Sequence, residues 1–71
     1  MGRTSMSAWG FQSEEQRRRY DDYRGMGYEY SMTDPYNGII MEKFERGYDY
    51  TRCLDRICIE ADGAINQLSI K

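Results

Sequence analysis

The side chains best equipped for chemistry in this 71-residue chain are Cys53 and Cys58, seven tyrosines, and the arginines Arg17, Arg18, Arg19 and Arg24. A thiol or phenol becomes a useful nucleophile only with a base at hydrogen-bond distance. The chain has no histidine, and no spacing delivers a carboxylate to either group. The two cysteines are not in a Cys-x-x-Cys pattern; on one helix their spacing sets them roughly 140° apart, unable to bridge one another. The common zinc and redox signatures are therefore missing, and no metal or cofactor is expected. A Gly-rich phosphate cradle is missing too, and so short a chain is expected to have no substrate-sized pocket. The expected class is a non-enzymatic binding protein.

The arginines are the first candidate surface. Arg17, Arg18, Arg19 and Arg24 are interleaved with Tyr20, Asp21, Asp22 and Tyr23, a composition that suits contact with RNA or phosphate. The same residues also read as a solvated helix face with i,i+4 pairs, Glu14 with Arg18 and Glu15 with Arg19. Trp9, Tyr20, Tyr28 and Tyr36 are candidate aromatic contacts for a partner, and Trp9 alternatively folds back over the chain's own helices. Ile57, Ile65, Leu68 and Ile70 are expected beyond the reach of the first helix, in an uncovered apolar stripe that points to a homodimer. A net charge of −2 and a pI near 5.0 weigh against non-specific nucleic-acid binding, which needs excess Lys and Arg. They leave room for a local basic patch. With no long apolar run and no signal pattern, no membrane association is expected, and the chain is expected in the cytoplasm.

The elements that must position these residues read as helices. Ser13-Glu14-Glu15-Gln16 matches a capping box and marks a helix start. Gln16, Tyr20, Tyr23, Gly27 and Tyr30 are spaced four, three, four, three, and Ile40, Phe44, Gly47, Thr51, Leu54 and Cys58 keep that rhythm. Asp34-Pro35 suits a second helix start, and the residue before a proline is pushed out of the helical region. The expected fold is therefore all-α: an antiparallel helical hairpin cornered at Thr33 to Asn37. An irregular N-terminal arm, 1–12, precedes a hairpin domain with its C-terminal extension, 13–71. The second helix is expected to reach about Glu60. The tail is either a short helix after Gly63 as left-handed cap, the preferred reading, or a hairpin turning at Asp62-Gly63.

A Gly-containing first helix, then Pro35-Tyr36, then Phe44-Glu45-Arg46-Gly47-Tyr48 resembles the ribosome modulation factor family. The likeness covers roughly Tyr20 to Tyr50. It implies a two-helix fold and binding to ribosomal RNA, with ribosomes inactivated as dimers. The chain departs from that pattern in being acidic, in carrying Phe44 in place of the family's tryptophan, and in extending beyond Thr51. Small acidic relatives of this pattern in phages and mobile elements are expected to block a host protein. Two partner classes follow: a host protein assembly inhibited or regulated by the chain, and, as the alternative, a ribosome or other ribonucleoprotein assembly.

Overall fold

The structure, a computed structural model, describes residues 10–70. Among the described residues one helix, α1 (Glu14–Gly25), is followed by four strands, β1 (Glu29–Thr33), β2 (Ile39–Arg46), β3 (Thr51–Ile59) and β4 (Ile65–Gln67). They form one antiparallel sheet in the order β1-β2-β3-β4. The expected all-α helical hairpin is thus corrected to a mostly antiparallel sheet with, among the described residues, one helix. The two-helix fold implied by the family resemblance is corrected with it.

The core explains why strands prevail after residue 28. Ile39 and Met41 of β2 and Ile57 and Ile59 of β3 are buried together, two residues apart on each strand, the spacing that places side chains on one face. The pairings Met41 with Ile57 and Ile39 with Ile59 set them side by side. Phe11, Tyr20, Tyr23, Tyr28 and Ile65 close around this patch, with Tyr20 and Tyr23 supplied by α1. Phe11 lies against Tyr20 with ring centroids 5.3 Å apart, and Tyr23 meets Tyr28 edge-on at 4.9 Å.

The helix begins where the sequence places it. The Ser13 hydroxyl oxygen accepts from the Gln16 N–H at 3.0 Å, and the hydroxyl donates to the Ala61 carbonyl at 2.7 Å. The Gln16 side chain does not reach back to the cap residue as a full capping box would. It is wholly buried, accepts from the Gln12 N–H at 2.7 Å, and donates to the carbonyls of Asn37 at 2.9 Å and Ile59 at 3.1 Å. One side chain therefore fastens the helix to both turns at that end of the sheet.

The expected corner at Thr33 to Asn37 turns between strands. Asp34 Oδ1 accepts from the N–H groups of Tyr36 and Gly38, both at 2.8 Å, and Asn37 takes a φ of 68°. The carboxylate thus closes a hairpin turn where a helix cap was expected. The Gly38 backbone donor, followed by the Tyr36 one, holds the Asp34 carboxyl below the usual carboxylate range. At the tail, the preferred helical reading is likewise corrected to the hairpin alternative. Gly63 is left-handed at φ 96°, but in the β3–β4 turn, which the Glu60 N–H closes by donating to the Ala64 carbonyl at 2.7 Å.

Candidate partner-binding ribbon

β2 and β3 outrun the rest of the sheet. β1 pairs with β2 only as far as Glu42, and β4 pairs with β3 only as far as Ile57, followed by the Leu68 N–H donating to the Arg56 carbonyl. From Lys43 to Asp55 the two strands pair with each other alone. At about 3.3 Å per residue, the four steps from Lys43 to Gly47 carry the tip roughly 13 Å beyond the four-stranded part. The molecule is correspondingly long, 47 × 20 × 16 Å.

A two-stranded ribbon alone is marginal in water, so its bracing matters. At the base, Asp55 accepts from the Tyr28 hydroxyl and from the Gln67 amide, and Lys43 Nζ sits 5.7 Å from the centre of the Tyr28 ring. The hydrogen bond to Asp55, with some burial, pushes the Tyr28 phenol up to about 12; the same bond, then that from Gln67, holds the Asp55 carboxyl low. Further out, Arg52 pairs with Glu45 across the strands, and Arg46 forms two hydrogen bonds to Glu29, at 2.8 and 3.1 Å. The Arg46 guanidinium also lies 5.1 Å from the Phe44 ring centre. An extra residue, Leu54, bulges from β3 between the pairings Lys43 with Asp55 and Phe44 with Cys53, which adds local twist.

The tip, Gly47 to Tyr50, is closed by the Gly47 N–H donating to the Tyr50 carbonyl at 2.9 Å. The Tyr50 ring occupies the space a Cβ at Gly47 would need. Tyr48 is fully exposed, at 104% of its reference area.

The residues expected to bind a partner are scattered over this frame. Arg17 is held by Glu14 at 2.5 Å and Asp21 at 2.9 Å, while Arg18 and Arg19 lie 3.9 and 3.6 Å from Glu15. The arginine run is therefore a solvated face with paired charges. Arg24, in the last turn of α1, appears in none of the ion pairs among the described residues. Tyr20 is half-buried on the core, Tyr28 braces the ribbon base, and Tyr36 is exposed on the β1–β2 turn at the opposite end from the tip. Of the expected apolar stripe, Ile57 is buried in the core and Ile65 packs on it, whereas Leu68, three residues after Ile65 and just past β4, alternates to the other face and Ile70 is exposed. The four do not form one uncovered stripe. Trp9 lies outside the described residues.

An open cavity of about 570 Å³ lies between α1 and β1, lined by Phe11, Tyr20, Tyr30, Thr33, Arg17 and Asp21 among others. It is roomier than the chain length suggested. The Tyr30 and Thr33 hydroxyls bond each other across 2.9 Å there, and the lining pairs no nucleophile with a base. Both cysteines are free thiols; Cys58 is buried beneath the Asp34–Gly38 turn, and that burial first, then Glu60 and Asp34, pushes its thiol up to about 11. Among the described residues no group of three or more His, Cys, Asp or Glu side chains could hold a metal ion, and no helix is long and apolar enough to cross a membrane.

Gly47 and Tyr48 were placed by their sequence in a helical rhythm and a family motif, and with Tyr50 they were given no part in binding. Their signal was a Gly-x-Asp cluster between runs rich in Ile, Phe, Thr and Cys, the punctuation of a hairpin loop. The chain matches no protein-family model, no curated protein and no solved structure.

Proposed function

We propose that this chain is a small binding protein that inhibits or regulates a larger protein assembly without catalysing a reaction. The observation that carries the reading is the ribbon from Lys43 to Asp55, which projects beyond the packed layers and ends in an exposed tyrosine. A braced projection with an aromatic end suits entry into a concave protein site, where tyrosine is a favoured anchor, and pre-ordering lowers the entropy lost on docking. The paired arginines of α1 add weight on the same side, because phosphate binding draws on unneutralised positive charge.

A tagged chain incubated with bacterial lysate, with and without nuclease and at low and high salt, tests the reading. The expected result is one protein or protein assembly in stoichiometric amount, unchanged by nuclease and little changed by salt. Recovery of ribosomal subunits that is lost with nuclease or salt would replace the reading with the ribosome-binding role that the family resemblance implies.

A further inference from the structure

Resting on that reading, we infer that the ribbon engages its protein partner by inserting Tyr48 into a pocket with a basic rim. Three features of the tip lead there.

The first is conformational. Tyr50 lies against the backbone of Gly47, where any Cβ would overlap its ring, and the Gly47 N–H bonds the Tyr50 carbonyl. The two ends of the loop are thereby clasped, and Tyr48 and Asp49 project between them. A tyrosine on a clasped loop loses little freedom when it docks, since only two side-chain torsions remain to be fixed.

The second is that Tyr48 has no task among the described residues. Tyr20, Tyr23 and Tyr28 pack on the core, Tyr30 bonds Thr33, and Tyr50 covers Gly47. Tyr36 is also exposed, at 82%, but it rides on a turn beside the body of the protein, where Asn37 is tied to Gln16. Only Tyr48 stands at the end of a projection.

The third is charge. Asp49 is the one ionisable side chain other than the two tyrosines between Gly47 and Tyr50. The flanking cations are engaged, Arg46 with Glu29 and Arg52 with Glu45. A tip carrying one carboxylate is repelled by a phosphate backbone and drawn to a site rimmed with Lys or Arg. A protein with a cleft of that charge is the matching partner.

The test places the photo-crosslinking residue p-benzoylphenylalanine at position 48 and, separately, at position 36, in the full chain, with nuclease-treated bacterial lysate. The expected result is one protein adduct from position 48 and none from position 36, with the joined peptide near Lys or Arg residues. Excess parent chain should suppress the adduct, and Tyr48→Ala should need at least about tenfold more, matching the ~1.4 kcal/mol or more lost with an anchor side chain. Asp49→Lys should also compete more weakly. Both substitutions lie in solvent, and unchanged thermal unfolding verifies their fold. A protein adduct from position 36 alone, or full competition by Tyr48→Ala or Asp49→Lys, overturns the tip inference and leaves protein binding standing through another surface. No protein adduct from either position, with no protein recovered by the tagged chain, overturns both.

Discussion

Replacing Gln16 by alanine should cost this small fold a large part of its stability. Gln16 is wholly buried and forms three side-chain hydrogen bonds, to the Gln12 N–H and to the carbonyls of Asn37 and Ile59. At about 1 kcal/mol net for each, the loss is about 3 kcal/mol, more where the abandoned groups stay dry. A domain of this length has only about 4–10 kcal/mol in total, from ~0.05–0.15 kcal/mol per residue. The expected fall in melting temperature is roughly 12–24 °C, taking about 4–8 °C per kcal/mol for a small domain. Urea unfolding should show a lower midpoint with an unchanged slope. Gln16→Glu sharpens the test, because it keeps the shape and the acceptor for Gln12 but removes both donors. Its carboxylate would face two carbonyl oxygens in a buried site, which raises the folded-state pKa above the unfolded value. The protonated form is then favoured by folding, so relative to the parent this variant is most stable below about pH 4 and loses stability as pH rises through the folded pKa. A cost below ~1 kcal/mol for alanine, or a glutamate variant whose difference from the parent is flat with pH, would refute the role given to Gln16.

Two further predictions concern single groups. Tyr28, bonded to Asp55 and raised to about 12, should ionise late, near that pH, when tyrosinate absorbance is followed with pH. Because its folded pKa lies above the unfolded value near 10, its contribution to stability is intact below pH 10 and lost as pH climbs through about 12. Asp55→Asn should bring that late ionisation down, and a variant whose late step is unchanged from the parent's would contradict the bond. The Cys58 thiol, buried and raised to about 11, should resist alkylation at pH 8 while half-buried Cys53 reacts, and should become reactive only in denaturant. Equal labelling rates in the folded protein would show that the Asp34–Gly38 turn does not cover it.

The parts of the fold legible in the sequence are those set by neighbours along the chain. Ser13 capping Gln16, and the face Gln16, Tyr20 and Tyr23 turned to the core, follow from three- and four-residue spacing alone. The strands were hidden because the two-residue alternation is masked in Ile39-Ile40-Met41 and Ile57-Cys58-Ile59, where apolar residues fall on both faces. Cys58 belongs to the face away from the helix, yet the Asp34–Gly38 turn folds over it, a fact of tertiary structure that no local pattern announces. Bulges at Ser31 and Leu54 then shift the phase of β1 and β3, which breaks the two-residue alternation further. Asp34-Pro35 opens a helix or a turn equally well; Asn37-Gly38, two residues on, decides for the turn, because Asn37 takes the left-handed conformation that a continuing helix does not allow. Gly63 was read correctly as left-handed and set in the wrong element, because the bond that closes its turn, from the Glu60 N–H to the Ala64 carbonyl, leads into the returning strand β4.

The candidate surfaces changed weight for an electrostatic reason. Arg17, Arg18 and Arg19 looked like a phosphate-contacting run because sequence shows charges without their partners; in the fold Glu14, Glu15 and Asp21 lie against them. Such exposed pairs contribute only ~0–1 kcal/mol each, so breaking one is not the obstacle. The obstacle is the field around α1, where Asp22 and Arg24 complete four acids against four arginines. Phosphate binding gains from releasing counterions held on the nucleic acid, which a locally neutral face cannot replace. Recognition by shape is not penalised in this way. The ribbon offers shape, a clasped loop with one tyrosine at its end, whereas the arginine face of the helix offers no excess charge.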